Sequence, residues 1–428
     1  MTAGLDPLAG LSPALREAAR RYGTPVAVTD RSTLEAAAAA IRTAFPEPWL
    51  RAFSLKANDV AGLVRVVCGL GFDANVVSKG EWAVARRAGV PNGRITLEGV
   101  GKTDADLRAA VRSARVGEPL RWMAIESTDE ATAVVSAARV LPPDRALDVL
   151  FRLNPEVTPE THHGLAVGAA GSKFGMTATE LTEAVGIVAR SSGLVPRGIH
   201  VHIGSQLGAV DAWRDAVRRA LALLALVSGT RERFDTLDLG GGFPVFDRRQ
   251  PAPDPARFAA ELPALLASVP PERRPARLAI EPGRAVVARA GVIVARVLHV
   301  RDRAGRRQVV IDAGMTEIIR PALYEAWHEI SPLTSMGRPI DAANDGADDA
   351  AWQPARVEGP ICESTDHLGE HRLPPLRRGD LVAIRDAGAY AASLASTYNG
   401  RPRPPQVLAD AAGALELLRP RGSLASLG

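Results

Sequence analysis

The sequence predicts an α/β fold in which a TIM-type (β/α)8 barrel is joined to a second, mostly β domain. Eight short apolar segments alternate with longer helix-like stretches between residues 51 and 283, and eight such repeats in roughly 240 residues match the size of this barrel. After Arg284 the chain changes to β-rich segments without long helices between them. With 428 residues, the chain is also longer than a single hydrophobic core usually supports.

The eight barrel strands are predicted from short β-branched or apolar runs. They lie at Arg51–Ala57, Phe72–Ser78, Arg94–Val100, Arg121–Ser127, Asp148–Asn154, Arg197–Ile203, Thr236–Gly242 and Arg277–Gly283. Helices are predicted between them at Glu81–Ala88, Asp104–Ser113, Asp129–Val140, Thr179–Arg190, Ala212–Val227 and Asp254–Ala267. Several begin at Asp, Ser or Thr and end near Gly or Pro, as helices commonly do. A doubly wound open sheet would show the same alternation, so the barrel rests on the count of eight.

The second domain is predicted from three β-rich segments, Gly291–Val300, Arg307–Asp312 and Gly379–Asp386. Thr24–Asp30 has the same character, so we expect this N-terminal segment to join the later domain. The predicted boundaries are residues 30–284 for the barrel and residues 1–29 plus 285–428 for the β domain. Met336–Trp352, rich in Ala, Asn, Asp and Gly, is predicted to be a surface loop.

Composition and charge are those of an ordinary globular protein. Lys and Arg exceed Asp and Glu by only 52 − 48 = 4, and the basic residues are scattered, so no nucleic-acid partner is predicted. Cys68 and Cys362 are too few and too far apart for a disulfide framework, which predicts a reducing, cytoplasmic location. The longest aliphatic run, Ala220–Val227, is too short to cross a membrane, and no leader is recognisable near Met1.

Unusual polar residues fall at the carboxyl ends of the predicted strands, where barrel enzymes build their sites. Lys56 closes the first strand, although a lone Lys at a strand end is usually a solvated surface charge. His200 and His202 alternate onto the same inward face of the sixth strand. Such a pair suggests a metal, but no further carboxylate or Cys ligand lies close by, so no metal is predicted.

Two further strand ends carry glycines and charges. Gly240, Gly241 and Gly242 follow the seventh strand, and their backbone N–H groups would suit a phosphate, although a tight turn explains them equally well. Glu281 and Arg284, in Glu281-Pro-Gly-Arg284, end the eighth strand, where a salt bridge at a turn is the simplest interpretation.

In their order along the chain, these segments resemble the fold-type III pyridoxal-phosphate decarboxylases, and the diaminopimelate decarboxylase family in particular. The motifs are Lys56-Ala-Asn58, His202-Ile-Gly-Ser205, Gly240-Gly-Gly242, Glu281-Pro-Gly-Arg284, Gly359-Pro-Ile-Cys-Glu-Ser364, and Gly388-Ala-Tyr390 with Tyr398-Asn399. They span nearly the whole chain. Six ordered motifs are a specific signal where any single one is weak.

The resemblance implies pyridoxal 5'-phosphate as the cofactor, carried by the amine of Lys56. Glu281 would face the pyridine nitrogen and keep it protonated, so that the ring accepts electrons from the carbanion left by CO₂. His202 would stack on the ring face. Ser205, the backbone of Gly240, Gly241 and Gly242, and Tyr390 would hold the phosphate, and Arg284 would contact either the phosphate or the substrate carboxylate.

The resemblance further implies conversion of meso-diaminopimelate to L-lysine and CO₂. Arg320 and Tyr324 would bind the distal carboxylate, and Glu363 the distal ammonium. Arg284 and Tyr390 are further candidates for substrate contact. Relatives that act on ornithine or arginine need an acid where this chain has Arg320, because their substrates end in a cation.

A homodimer with shared active sites is also implied. Cys362, from the second domain of the partner subunit, would protonate the intermediate that remains after CO₂ loss. The two domains of one chain would then serve different active sites of the dimer.

Among the departures from the family pattern, which include Ala27 and Thr29, two lie near the expected cofactor site, and three other functions remain open. Asn75 stands where the family usually carries Asp, and Lys79 where a small residue is common; both would flank the cofactor cleft. A sister decarboxylase, acting on another distal-carboxylate or carrier-tethered amino acid, is the runner-up. A non-catalytic cofactor carrier would lack the second domain with Cys362. A racemase of the alanine type would have Arg in place of Glu281.

Overall fold

The computed structural model describes residues 10–142, 144–229, 231, 233–245, 252–340 and 351–427. Two compact units make up the chain: Ala37–Val286 forms one, and Met1–Ala36 with Val287–Gly428 forms the other. Most of the predicted loop Met336–Trp352 lies outside the described residues. Among the described helices, none is long and apolar enough to cross a membrane.

The unit Ala37–Val286 is a closed barrel of eight parallel strands. Strand β1, Val26–Asp30, belongs to the other unit. The barrel strands are β2 Leu50–Ser54, β3 Asp73–Val76, β4 Ile95–Leu97, β5 Trp122–Ile125, β6 Leu147–Leu153, β7 Leu194–Val201, β8 Thr236–Asp238 and β9 Arg277–Ile280. Leu50 and Arg51 of β2 pair with Ala279 and Ile280 of β9, which closes the barrel. The predicted barrel and its eight strands are confirmed.

Helices follow or separate the strands in the order that a barrel requires. Helix α1, Ser12–Tyr22, precedes β1. The others in and around the barrel are α2 Arg31–Ala44, α3 Ala61–Gly69, α4 Lys79–Arg87, α5 Asp104–Arg115, α6 Thr128–Ala138, α7 Ala178–Val188, α8 Asp211–Ser228, α9 Pro255–Ala259, α10 Leu262–Ala267 and α11 Arg284–Val287. The single helix predicted at Asp254–Ala267 is therefore two, and Pro263 in the first turn of α10 explains the break, because it has no N–H group.

The barrel strands end earlier than predicted. The last pair in the ladder between β2 and β3 is Ser54 with Asn75, and the chain then turns into the 3-10 segment Leu55–Ala57. Lys56 therefore lies just beyond the first strand and does not close it, which corrects the prediction. His202 likewise follows the last residue of β7. Lys56 and His202 therefore lie in the turns that follow the carboxyl ends of the strands, where the backbone no longer pairs with the neighbouring strand.

The other unit contains a nine-stranded sheet with the path β16-β15-β11-β10-β1-β18-β19. Its strands are β1, β10 Gly291–Arg303, β11 Arg306–Ile311, β12 Ile330–Pro332, β15 Gln353–Glu358, β16 His367–Leu373, β17 Leu381–Ile384, β18 Gln406–Ala409 and β19 Leu415–Arg419. Strands β13 Thr334–Ser335 and β14 Arg338–Pro339 form a small hairpin, and α12 is Arg320–Tyr324. Strand β1 pairs antiparallel with β10 and parallel with β18, so the N-terminal segment lies in the sheet of the later strands.

Candidate active site

The turn that contains Lys56 is packed against the end of the eighth barrel strand. Leu55 and Ala57 on either side of Lys56 are fully buried, whereas Lys56 itself is partly exposed. A Cβ atom on Gly283 would lie 3.0 Å from the Cβ of Ala57, a tighter contact than most, so the glycine favours this close approach. Burial raises the pKa of Glu98 and lowers that of His202, and the positive charge of Lys56 opposes the rise at Glu98 and adds to the fall at His202. The amine is thus an accessible group in an otherwise closed turn.

His202 is held as a neutral ring with a defined tautomer. The Gly241 N–H donates to its Nδ1 over 3.1 Å, so the ring proton lies on Nε2. Burial, together with the positive charges of Lys56 and Arg152, holds the pKa of His202 well below its usual value. A neutral imidazole in a fixed orientation presents a flat face for stacking.

Close packing explains the glycines at positions 240 and 241 better than phosphate binding by their N–H groups does. A Cβ on Gly240 would lie 2.6 Å from the Val201 carbonyl oxygen, and one on Gly241 would lie 2.4 Å from the Glu281 carbonyl oxygen. The Gly240 N–H donates to Asp238 Oδ1 over 3.0 Å, and the Gly241 N–H is used by a histidine ring. Two of the three N–H groups predicted to cradle a phosphate are therefore engaged within the protein. Among the described hydrogen bonds, none uses the N–H of Gly242.

Glu281 is held by the neutral amide of Asn75, the residue that stands where the family usually carries Asp. Asn75 Nδ2 donates to Glu281 Oε1 over 3.1 Å and to Thr96 Oγ1 over 3.1 Å. Ser54 Oγ donates to Asn75 Oδ1 over 3.1 Å, which fixes the direction of the amide. An ionised carboxylate at position 75 would repel Glu281, whereas the amide donates to it. Asn75 therefore has a specific partner in the candidate site.

The expectation that no carboxylate lies near the histidine pair is wrong. His200 Nε2 lies 3.4 Å from Glu98 Oε2 and 3.6 Å from Glu281 Oε2, and all three side chains are buried. Ligand atoms of these three residues lie within 4.8 Å of one another. Asp238, also fully buried, acts electrostatically on Glu98 and Glu281. The cluster could not be found from sequence spacing, because its members lie on or just beyond four different strands.

A buried ion pair lies beside this cluster. Arg152 Nη1 donates to Glu126 Oε1 over 2.8 Å, and both side chains are almost fully buried. Burial alone would raise the pKa of Glu126, but the charges of Arg152 and Lys102 lower it below its usual value. Burial lowers the pKa of His200 to about 4, and the two charges of the pair act on that pKa in opposite directions, Arg152 lowering it and Glu126 raising it. Neither residue was singled out from the sequence.

Arg284 and Ser205, both predicted to meet the phosphate, are brought together. Arg284 Nη2 donates to Ser205 Oγ over 3.0 Å. The Ser205 backbone is held in place because its N–H donates to the Leu165 carbonyl over 3.2 Å and its carbonyl accepts from Thr161 Oγ1 over 2.7 Å. The Ser205 hydroxyl and the Arg284 guanidinium lie side by side, and together they can donate hydrogen bonds to an anion such as a phosphate.

In the β-rich unit, the predicted residues Cys362 and Glu363 join the Tyr398-Asn399 motif. The Cys362 N–H donates to Asn399 Oδ1 over 3.2 Å, and Tyr398 Oη donates to Glu363 Oε1 over 2.7 Å. The hydrogen bond to Glu363 raises the pKa of Tyr398. The thiol of Cys362 is exposed. Two motifs that are separate in the sequence, Cys362-Glu363 and Tyr398-Asn399, are therefore hydrogen-bonded to each other in the structure.

A missed residue, Asp366, organises the loop that carries Cys362. Its carboxylate accepts from the Ile361 N–H over 2.7 Å and from the Met315 N–H over 2.6 Å. A Cβ on Gly359 would lie 2.2 Å from the Asp366 carboxylate, which explains the glycine of that motif. Burial raises the pKa of Asp366. The backbone of the motif Gly359–Ser364 is therefore held by the carboxylate of Asp366, a residue that does not belong to the motif.

Arg320 is oriented by a second missed residue, His328. Arg320 Nη1 lies 3.0 Å from His328 Nε2, and His328 Nδ1 lies 2.9 Å from the Arg385 carbonyl oxygen. Tyr324 ends the same helix, α12.

Tyr390, predicted to contact phosphate and substrate, has a positive φ of 57°, a conformation that a tyrosine adopts only when its surroundings require it.

A barrel with these groups at its strand ends defines a class of cofactor enzyme, and comparison with known proteins identifies it. The model of the pyridoxal-binding domain of pyridoxal-dependent decarboxylases matches residues 31–288. Diaminopimelate decarboxylase of Aquifex aeolicus is 33% identical over 411 residues, covering 95% of this chain and 91% of the relative. The Vibrio cholerae enzyme of the same name is 34% identical over 414 residues, covering 96% and 94%.

Solved structures agree with this assignment. Diaminopimelate decarboxylase from Helicobacter pylori, complexed with L-lysine, has a TM-score of 0.84 at 28% identity, covering 96% of this chain and 98% of that one. Lysine/ornithine decarboxylase from Vibrio vulnificus has a TM-score of 0.76 at 21% identity and shares the fold. The chain belongs to the diaminopimelate decarboxylase family. It is a carboxy-lyase dependent on pyridoxal phosphate, so the predicted family, activity and cofactor are confirmed.

The residues present fit this cofactor. Glu281 Oε2 is buried and, among the described residues, has no hydrogen-bond donor, so a carboxylate oxygen remains available for a protonated ring nitrogen. A neutral His202 ring, the Lys56 amine and the hydroxyl–guanidinium pair of Ser205 and Arg284 supply the other interactions that an aromatic aldehyde phosphate needs.

Proposed function

We propose that this chain decarboxylates meso-diaminopimelate to L-lysine. The observation that supports this substrate most directly is the orientation of Arg320 by His328. A guanidinium held in one direction suits a carboxylate, because its donors match the two carboxylate oxygens. The relative from Helicobacter pylori, crystallised with L-lysine, supports the same product.

In the barrel, Lys56 would hold the cofactor and Glu281 would keep its pyridine nitrogen protonated. The bound cofactor supplies an electron sink for the electron pair left when CO₂ departs. Asn75 keeps Glu281 in place through its amide without adding charge. His202, neutral and fixed by Gly241, would cover one face of the ring and exclude water.

We propose that Ser205, Arg284 and Tyr390 bind the cofactor phosphate. The guanidinium of Arg284 already donates to the Ser205 hydroxyl, so both groups would meet the phosphate at the same place. Of the three glycines, Gly242 would donate its N–H, whereas Gly240 and Gly241 would contribute by leaving room and by positioning Asp238 and His202. Arg284 and Tyr390 remain candidates for a substrate contact as well.

The substrate's distal end would be bound by the β-rich domain, residues 1–29 and 285–428. Arg320 and Tyr324 would take the distal carboxylate and Glu363 the distal ammonium. Tyr398, which donates to Glu363, would keep that carboxylate oriented. Both ends of the distal zwitterion are then recognised by groups of opposite charge.

We propose a cytoplasmic homodimer in which Cys362 of one subunit delivers a proton from its Sγ in the active site of the partner. Both Cys68 and Cys362 are free thiols, which suits a reducing compartment. Asn399 holds the Cys362 backbone through its side-chain oxygen, so the exposed thiol is carried by an ordered segment. The barrel, residues 30–284, and the β domain would thus serve different sites.

The test is a substrate panel. Purified holoenzyme is incubated with meso-diaminopimelate, ornithine, arginine and glutamate while CO₂ release is followed. We expect release from meso-diaminopimelate only. Release from another amino acid with a distal carboxylate, without turnover of meso-diaminopimelate, would support the sister decarboxylase, for which Asn75 and Lys79 are the first residues to exchange.

A further inference from the structure

Four ionisable side chains are buried together in the barrel, and only one of them has a role so far. Glu98, His200, Asp238 and Glu281 are at most 3% exposed. Glu98 Oε1, Asp238 Oδ2, Glu281 Oε2 and both ring nitrogens of His200 have no ordinary hydrogen-bond partner among the described residues. Three ionised carboxylates in such a place would repel one another without solvent to screen them. The cluster must therefore share protons.

We propose that Glu98 is a positioning residue for Glu281: in its carboxylic-acid form it donates a proton towards the Glu281 carboxylate and leaves one negative charge there. This inference rests on the proposed role of Glu281 at the pyridine nitrogen. Carboxylate oxygens of Glu98 and Glu281 lie within 4.8 Å of each other, and Asn75 already donates to Glu281 Oε1. Asn75 and Glu98 would then both donate to Glu281 without adding charge, and the carboxylate would keep a further lone pair for the pyridine nitrogen.

The electrostatics of the cluster agree with this arrangement. Burial, then the Glu281 charge, raises the pKa of Glu98 to about 8, and burial raises that of Asp238 well above its usual value. Burial lowers the pKa of His200 to about 4, so this ring is neutral. Burial thus favours the protonated form of Glu98 and Asp238 and the neutral form of His200.

The groups that face Glu98 decide what happens when it loses its proton. They are Glu281, His200, Asp238 and Lys56, and the charges of Arg152 and Glu126 act in turn on His200. Ionisation of Glu98 places a second negative charge beside Glu281, which makes Glu281 a stronger base. The pyridine nitrogen of the bound cofactor would therefore sense the ionisation of Glu98.

The test uses cofactor that carries an isotopic label at the pyridine nitrogen. Wild-type holoenzyme and Glu98→Gln are titrated between about pH 6 and about pH 10, and the chemical shift of that nitrogen and the absorbance of bound cofactor are recorded. We expect a transition near pH 8 in the wild type and none in Glu98→Gln, whose amide stays neutral and still donates. Glu98→Ala, which has no donor, should differ from Glu98→Gln already at pH 7.

A matched control is Glu317→Gln, because burial also raises the pKa of Glu317 although it lies in the β-rich unit. It should keep the wild-type transition. The same transition in Glu98→Gln as in wild type would overturn the proposal. A change in the wild-type signal on chelation of divalent cations would also overturn it, because Glu98, His200 and Glu281 would then be metal ligands.

Glu281→Gln separates this inference from the proposed function. If Glu281 faces the pyridine nitrogen, this variant must change the nitrogen signal at every pH. An unchanged signal would refute the role of Glu281 itself. A changed signal in Glu281→Gln together with no effect of Glu98→Gln would refute only the role of Glu98.

Discussion

Arg320 Nη1 and His328 Nε2 form a hydrogen bond of 3.0 Å in which only the arginine can be the donor. Arginine always donates, so His328 Nε2 must accept and its proton must lie on Nδ1. That Nδ1 lies 2.9 Å from the Arg385 carbonyl oxygen, an acceptor. The neutral ring thus links the guanidinium to the backbone and fixes its orientation.

Removing His328 should therefore weaken substrate binding without disturbing the cofactor. We expect His328→Leu to lower kcat/KM for meso-diaminopimelate by about 10- to 100-fold, the effect of one charge-assisted hydrogen bond of about 1.5–3 kcal/mol. Most of the change should lie in KM, and the absorbance of bound cofactor should stay as in wild type. His328→Gln, which retains an acceptor, should recover part of the loss. An unchanged KM in His328→Leu would remove His328 from this role.

Covalent labelling tests the role of Lys56. The chain has only four lysines, Lys56, Lys79, Lys102 and Lys173. Lys102 is buried in an ion pair with Glu130 at 3.0 Å, which provides an internal control. Borohydride reduction of the holoenzyme followed by peptide mapping should place the cofactor on Lys56. Label on any other lysine would contradict the assignment.

Burial of Glu98 should make stability depend on pH in a defined direction. Its folded-state pKa is about 8, against an ordinary 4.5, so the folded protein binds the extra proton between these values. Stability from this group is therefore full below about pH 4.5 and is lost as pH rises through about 8. Without cofactor, Glu98→Gln should gain unfolding free energy over wild type across this window, by a few kcal/mol at about 1.4 kcal/mol per pKa unit. A difference independent of pH in denaturant titrations would contradict this.

The barrel and its strand-end motifs could be predicted because hydrophobic period and local glycine or lysine motifs are properties of short segments. The same rule that found Lys56 applies to Glu98, one residue beyond β4, and to Glu126, one residue beyond β5. Neither belongs to a recognised motif, and both were overlooked. His328 was not predictable at all, since its contact with Arg320 depends on how the chain after α12 returns. Pairing across strands and loops is set by tertiary packing.

Subunit complementation tests the homodimer. Lys56→Ala and Cys362→Ala subunits should each be inactive, because one lacks the cofactor lysine and the other the proton donor. If sites are shared, mixed dimers contain one site with both residues intact. Activity should therefore return on mixing, to at most about one quarter of wild type when subunits exchange freely. No recovery, with exchange shown by differently tagged subunits, would indicate sites built from one chain.

The choice of substrate depends on Arg320. Arg320→Ala should lower kcat/KM for meso-diaminopimelate by a few kcal/mol in transition-state stabilisation, because the distal carboxylate loses its charged partner after it has been desolvated. The spectrum of bound cofactor should not change, since Lys56, Glu281 and His202 belong to the barrel unit. Arg320→Lys is the matched control: it keeps the charge but loses the planar fork, so an intermediate loss is expected. Equal activity in all three proteins, or rapid turnover of ornithine by the wild type, would show that this guanidinium does not select the substrate.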